Sequence, residues 1–493
     1  MERCNQDIIG MDLGMSTSSV SYMDTVAEIA ACCVNAEGNT ITPSVIHLET
    51  AEKAIVGEVA KECSEIAPDR TASGFKREIG KNQVMLTVDG KSFTAEMLAE
   101  LQIKALLKDA EAFLERECKK CVITIPVTSD QKYMQAIIQA GKNAGLQNVY
   151  LINEAIAAVC NYDSIEDLDG KTIAVIDLGG GTLDIAVAAI SKDVIDIVIV
   201  LGDANLGGKD WDNALISYIK ETYLNGRTME IYDEQKLVLD VERAKKILSK
   251  KNQTRLILST SEDKESISLT REVFENCTSH LLKKVEKNLE ELKRELDEKN
   301  ISKLDKLYLV GGSTKMPQIK DLVERVFPKV SIASKNPDEA VALGAAVYAK
   351  RISASQKEME IKHSYRNKEL KTVSARSYGI AVQLGDDGEK KIFNMIPRGT
   401  QLPITVARSF YTKEKNQKEV TMRIYESMSK DTLIDIDKKE LLGTGQLKIQ
   451  KSLPKYSSVG MKFTLGLDGV LVIEGEEKKG NTKAKLILEG TVA

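Results

Sequence analysis

The chain carries an internal duplication that limits its fold more than any other feature. Ile8-Ile9-Gly10-Met11-Asp12-Leu13-Gly14 and Ala174-Val175-Ile176-Asp177-Leu178-Gly179-Gly180-Gly181-Thr182 share one pattern: an apolar strand, then Asp-Leu-Gly, then small or hydroxyl residues leading into a second alternating strand. Two halves of one domain therefore start with the same β-hairpin. Glycine at such a turn removes side chains, so backbone N–H groups can approach phosphate oxygens, and the aspartate before it can hold a metal through water. Turns of this kind also occur for conformational reasons alone, so neither loop is specific by itself. A third turn adds weight. Leu309-Val310-Gly311-Gly312-Ser313-Thr314-Lys315 runs from an apolar strand through Gly-Gly towards a helix, leaving bare backbone on which a base or ribose can lie and a helix N-terminus that adds donors. Two such loops face to face would clamp a triphosphate and its Mg²⁺.

The rest of the chain divides by texture. Residues 1–352 alternate β-branched runs with helical stretches, for example strands at Ile173–Asp177 and Lys306–Val310 and helices at Asp130–Ala144 and Leu269–Glu298, the pattern of an α/β domain. Residues 353–373 are rich in Lys, Glu and Arg and read as a charged linker or a solvated helix. Residues 374–493 hold short alternating runs at Ile404–Tyr411, Val420–Tyr425, Gln446–Ile449, Met461–Leu467 and Val470–Glu474, the last two flanking the hairpin signal Asp468-Gly469. An antiparallel β domain is expected there, and 493 residues accommodate two large units and a joint.

Composition excludes several classes. Hydrophobic residues at 42% and charged residues at 29% describe an ordinary globular chain, and 69 Lys plus Arg against 73 Asp plus Glu leave a net charge of −4, which argues against a dedicated nucleic-acid or anionic-membrane binder. Glu2, Arg3 and Asp7 precede any apolar run, so no signal peptide is expected, no stretch is long and apolar enough for a membrane helix, and the cytoplasm is the default compartment. The 8 cysteines read as reduced core thiols; Cys118 and Cys121 form a lone CxxC with no second pair at zinc spacing, and His47, His280 and His363 are isolated.

The motifs in order resemble the DnaK-type 70-kilodalton heat-shock chaperones, the heat-shock protein 70 family. They are Asp12-Leu13-Gly14, Phe75-Lys76-Arg77, Ile125-Pro126, Ile152-Asn153-Glu154, Asp177-Leu178-Gly179-Gly180-Gly181-Thr182-Leu183-Asp184, Leu206-Gly207-Gly208-Lys209-Asp210, Glu242-Arg243-Ala244-Lys245, Val310-Gly311-Gly312-Ser313-Thr314-Lys315 and Asn336-Pro337-Asp338-Glu339-Ala340-Val341-Ala342. The resemblance implies an actin-like two-lobed ATPase domain with duplicated ribonuclease-H-like halves, followed by an all-β sandwich that holds extended polypeptide. It implies ATP or ADP with Mg²⁺ and K⁺ in the cleft. Lys76 would then stabilise the transferring phosphoryl group, Glu154 and Asp177 would lie nearest the attacking water, and Asp12 and Asp177 would hold Mg²⁺ through water. Gly14, Met15, Ser16, Gly179, Gly180, Gly181 and Thr182 would face the phosphates, with Gly207 and Gly208 behind them. Glu242, Lys245, Lys246 and Ser249 fall on one helical face and would meet the adenosine, a spacing that also describes an ion-paired surface. Gly311, Gly312, Ser313, Lys315, Met316 and Asp338 would complete the nucleoside pocket. Ile380, Phe410, Val420 and Met422 map to the peptide channel, although the same residues serve equally as sandwich core. A J-domain co-chaperone and a nucleotide exchange factor are the implied partners.

The sequence also departs from the family pattern. Met15 stands where a hydroxyl usually faces the phosphates, Ala155 where proline is usual, and Met134 at the arginine of the interdomain relay. The linker lacks the usual run of leucines and offers only Glu369-Leu370-Lys371-Thr372-Val373, so no docking element is expected and interdomain coupling is placed in question. Gln383 and Lys413 occupy the positions that arch over the peptide, and with Ala493 close behind the last strand no helical lid is expected. Two functions from different classes fit: an ATP-hydrolysing chaperone that binds unfolded polypeptide, and a noncatalytic ATP-binding scaffold or exchange-factor-like relative.

Overall fold

Each copy of the duplicated hairpin seeds a sheet, and the two sheets have the same order. The structure, a computed structural model, describes residues 8–24, 26–224, 226–261, 263–357, 368–385, 388–436, 440–448, 454–466, 469–477 and 482–488. In the first half the hairpin Ile8–Asp12 with Thr17–Asp24 is extended by Ile29–Cys32 on one side and, in parallel, by Lys120–Ile125 and Asn148–Asn153 on the other. In the second, Lys171–Leu178 with Leu183–Ile190 is extended by Val194–Asp203 on one side and, in parallel, by Lys306–Val310 and Ser331–Ala333 on the other. The parallel strands Lys120–Ile125, Asn148–Asn153 and Lys306–Val310 are mostly buried and read as largely apolar runs, whereas the short edge strand Ser331–Ala333 is partly exposed.

Two helices, Glu154–Ile165 and Ala340–Lys357, join the halves. They are built from small residues because they cross almost at backbone contact: a Cβ on Gly344 would lie 1.8 Å from the Ala157 carbonyl oxygen, and one on Gly10 2.4 Å from the Ala346 nitrogen. One apolar cluster, including Ile8, Val122, Ile156, Val175, Tyr308 and Ala345, runs through both halves at this crossing.

One expected element differs. The helix read over Leu269–Glu298 is two helices, Arg271–Cys277 and Ser279–Glu298, and Leu269 and Thr270 end a strand. Thr278 lies at the break, where its hydroxyl donates to the Phe274 carbonyl at 2.7 Å, a bond by which threonine competes with regular helix.

The C-terminal β domain is a sandwich. Leu433–Asp435, Lys390–Ile396, Ser377–Gln383, Glu419–Ser427 and Glu440–Lys448 form one sheet; Ile404–Tyr411, Ser458–Leu465, Leu471–Glu477 and Thr482–Leu488 form the other. The hairpin expected around Asp468-Gly469 pairs Ser458–Leu465 with Leu471–Glu477, while Leu467 and Asp468 lie outside the described residues.

The sandwich packs against the two-lobed domain, and the connection is the main departure from expectation. Residues 358–367 of the charged stretch lie outside the described residues, but Glu369–Lys371 adds a parallel strand to the edge of the second sheet, in register Val194↔Glu369, Ile195↔Leu370 and Asp196↔Lys371. A docking element is therefore present. It was not recognisable because strand addition uses backbone groups that every sequence carries, and one leucine, Leu370, supplies the apolar contact. A buried ion pair fixes its start: the Lys368 ammonium lies 2.7 Å from Asp163 Oδ1, with Arg351 3.6 Å from the other carboxylate oxygen. Replacing Lys368 by methionine strips a buried carboxylate of one partner, and undocking of the strand relieves that cost. The expected result is roughly thirtyfold faster hydrogen exchange at Leu370, equivalent to about 2 kcal/mol, read by mass spectrometry or NMR.

Further polar links cross the interface. Arg376 donates to the Thr128 carbonyl at 2.8 Å, and Glu426, its ion-pair partner within the sandwich at 3.0 Å, accepts from the Gln131 N–H at 3.3 Å. Met134 is buried beside Val373, Tyr378 and Leu402, where it lines a cavity of about 40 Å³ between the domains.

Candidate active site

The strand ends at the centre of the two sheets open into one cavity of about 1130 Å³ between the lobes. The two Asp-Leu-Gly loops meet across it. A Cβ on Gly180 would lie 2.1 Å from Ser16 Oγ, and one on Gly181 would lie 2.9 Å from Met15 Cγ, so glycine is required for the loops to close on each other. Gly179 and Gly180 are held from behind, because their carbonyls accept from the N–H groups of Gly208 and Lys209 at 3.0 and 2.9 Å and Ser313 Oγ donates to the Gly179 carbonyl at 2.8 Å.

Lys76 occupies the short turn Phe75–Glu78, entered through left-handed Gly74 (φ 70), and its ammonium bonds Glu154 with both side chains buried. Glu154 begins its helix, so its carboxylate sits at the favourable end of the helix dipole. Asp12 and Asp177, the last acidic residues of equivalent strands, lie beside this pair. Burial first, then the charge of Glu154, pushes Asp12 up to about 6; burial, Glu154 and Asp184 hold Asp177 well above the usual carboxylate range. Asp184, opposite Asp177 in the hairpin, is pushed up to about 8 by burial and Glu154, although it accepts from the Val127 N–H at 2.6 Å and from Thr182. Four carboxylates, of which Glu154, Asp177 and Asp184 are buried and Asp12 half-buried, against one ammonium form a site with surplus negative charge, which suits a hydrated divalent cation. Among the described residues no three Asp, Glu, His or Cys side chains converge to chelate a metal directly, and water-mediated ligation is the mode such a set can offer.

These shifts have a consequence for stability. A carboxylate whose folded pKa lies above 3.8 makes the native state bind more protons than the unfolded chain, so its contribution is complete below 3.8 and is lost as pH rises through the folded value. The nucleotide-free protein is expected to lose stability as pH rises above 3.8, the share of Asp12 being fully lost above about 6 and that of Asp184 above about 8. Asp184→Asn should flatten the upper part of a plot of melting temperature against pH.

The other end of the cavity is the pocket expected for the nucleoside. Glu242 pairs with Lys246 at 2.6 Å and reaches across the cleft to Lys61 at 3.0 Å; against the effect of burial, these two ammoniums hold it near 2. Lys245 bonds Asp212 and the Gly208 carbonyl, each at 2.8 Å, and Ser249 Oγ donates to the Lys245 carbonyl at 3.0 Å. Gly311 (φ 83), Gly312 and Ser313 form the floor, with Met316 buried and Lys315 paired with Asp338 at the rim.

Thus every residue expected at the nucleotide lines the cavity except Gly207, which lies beneath the second loop: a Cβ there would come 2.4 Å from the Gly181 nitrogen. Sequence reasoning missed Arg77, which lines the cavity and crosses the cleft to Asp210 at 2.6 Å and to the Gly181 carbonyl. Its only signal was adjacency to Lys76. The four residues mapped to the peptide channel separate into two pairs. Ile380 and Met422 are buried between the sheets as core, whereas Phe410 and Val420 are partly exposed at its margin. Cys118 and Cys121 are buried, and burial pushes the Cys121 thiol up, which keeps it unreactive.

The fold and site together define a two-lobed nucleotide-cleft protein of the actin-like class with an appended β-sandwich. Comparison with known proteins narrows this. The family described as Hsp70 protein matches residues 8–491. The chain is 30% identical to the chaperone protein DnaK of Thermotoga neapolitana over 98% of its own length and 80% of that protein, and 30% identical to the chaperone protein DnaK of Halobacterium salinarum over 99% and 75%. The chain belongs to the Hsp70 family.

Proposed function

We propose that this protein is an ATP-dependent chaperone that binds and hydrolyses ATP in the cleft and holds unfolded or extended polypeptide on its β domain. Family membership over nearly the whole chain, together with the buried Lys76–Glu154 pair facing Asp12 and Asp177, carries this reading. The division of labour follows residues 1–352 for ATP, 353–373 as connection and 374–493 for polypeptide.

Lys76 neutralises charge that builds on the terminal phosphoryl oxygens as the bond to ADP breaks. Glu154 orients Lys76, and with Asp177 it supplies the carboxylates nearest the attacking water. Asp12 and Asp177 would hold Mg²⁺ through water, and the ion would supply charge neutralisation at the phosphates. Thr182 and Ser16 supply hydroxyls to the phosphates, and K⁺ is assigned to the same acidic corner. Phe410 and Val420, partly exposed, are the candidates for polypeptide contact. Turnover is slow in this reading, because Met15 brings a thioether where a hydroxyl would help. A J-domain protein and an exchange factor are the proposed partners, and the cytoplasm is the proposed compartment; among the described residues no helix is long and apolar enough to cross a membrane.

The noncatalytic scaffold is not favoured, since a scaffold has no need of Asp12, Lys76, Glu154, Asp177 and Thr182 around one corner of the cavity. Single-turnover hydrolysis with Mg²⁺ and K⁺, with and without an unfolded polypeptide, tests the reading. Hydrolysis altered by polypeptide is expected; tight ATP binding without hydrolysis would return the scaffold to first place.

A further inference from the structure

We propose that Tyr133 is a catalytic residue of this site, its hydroxyl donating a hydrogen bond to an oxygen of the transferred phosphoryl group. The inference rests on the ATPase reading above. Tyr133, in the first turn of the helix Gln131–Asn143, is only 8% exposed, yet it lines the same cavity as Lys76, Asp12 and Glu154. Its hydroxyl has no hydrogen-bond partner. A buried hydroxyl normally finds one, and an orphan on a side chain that lines a cavity marks a place where a ligand atom can belong.

The surroundings indicate which atom. The charges of Lys76, Glu154, Asp184 and Asp12 all act on the hydroxyl, which sets it beside the corner where the terminal phosphate is expected. Carboxylates are near, yet none accepts from it. The backbone of the residue is fixed: the Asp130 carboxylate accepts from the Tyr133 N–H at 2.7 Å, and Gly80 (φ 86) lies so close that a Cβ there would be 2.9 Å from the Tyr133 nitrogen. Gly80 follows the turn that carries Lys76, so the two residues are held in fixed relation. A phosphoryl oxygen only accepts, and a neutral donor serves it without adding charge to the corner. Burial pushes the phenol up, which keeps its proton in place at working pH.

The experiment compares full-length wild type with Tyr133→Phe, which preserves shape and removes only the hydroxyl. Single-turnover hydrolysis with Mg²⁺ and K⁺ is expected to fall about tenfold, equivalent to about 1.4 kcal/mol of barrier. The melting temperature without nucleotide should stay level or rise, because an unsatisfied polar group is gone, while the increase produced by ATP should shrink. Hydrolysis within about twofold of wild type with an unchanged ATP-induced increase would overturn the proposal. So would a rate loss accompanied by a lower nucleotide-free melting temperature, which marks a packing role. Wild type without Lys76-dependent turnover would overturn the ATPase reading itself and this assignment with it.

Discussion

Lys76→Ala is expected to cut single-turnover ATP hydrolysis by about 10²–10³-fold while ATP still binds, because the change removes a charge aimed at the phosphoryl group and leaves the nucleoside pocket untouched. The geometry makes the loss hard to compensate. Lys76 is the ammonium among the four carboxylates of this corner, and its removal leaves Glu154 beside Asp12 and Asp177 without that counter-charge. Breaking a buried pair also costs stability, of the order of 3 kcal/mol, so a fall in nucleotide-free melting temperature should accompany the kinetic loss. Lys76→Arg should not rescue the rate, since a planar guanidinium cannot occupy the volume of a point-like ammonium in this enclosed corner. Rapid-quench measurement decides the matter: turnover of the alanine variant within about fivefold of wild type would remove Lys76 from the mechanism.

Gly344→Ala should be severely damaging for the addition of a single methyl group. The added Cβ would lie 1.8 Å from the Ala157 oxygen and 2.3 Å from its carbonyl carbon, both backbone atoms of the neighbouring helix, so no rotamer change can relieve the overlap. The helices Glu154–Ile165 and Ala340–Lys357 must separate, and Glu154, which holds Lys76, stands at the first turn of one of them. Overpacking usually costs about 1–3 kcal/mol, and a backbone clash at a crossing shared by both lobes lies at or beyond the upper end. The expected result is insoluble protein, or a folded remnant with a melting temperature lower by about 5 °C or more and little ATP-induced stabilisation. A variant that melts within a degree of wild type would mean that the crossing is looser than the structure draws it.

Local chemistry explains what the sequence revealed. Asp12-Leu13-Gly14 and Asp177-Leu178-Gly179 announced their hairpins because turn geometry and strand alternation are properties of a few adjacent residues, and both hairpins formed as expected. The pocket face at 242, 245, 246 and 249 was readable for the same reason. What stayed hidden depends on distant partners. Tyr133 owes its position partly to Gly80, and Arg77 its role to Asp210, 133 positions away. Thr278 breaks a helix whose apolar period continues on both sides. In the sandwich, alternation identified which face of a strand is apolar but not whether that face meets the opposite sheet or a ligand, and only the second sheet settles that for Met422, which packs against Gly475.

The strand Glu369–Lys371 has a bearing on solubility as well as on signalling. It covers part of the outer edge of Val194–Asp203, a ten-residue strand whose Val194-Ile195-Asp196-Ile197-Val198-Ile199-Val200 run is broken by a single charge. An uncovered edge of this kind is a template for pairing with another chain. When the connection between the domains lets go, that edge is bared, and the Lys368–Asp163 pair, which fixes the start of the covering strand, favours the state in which it stays paired.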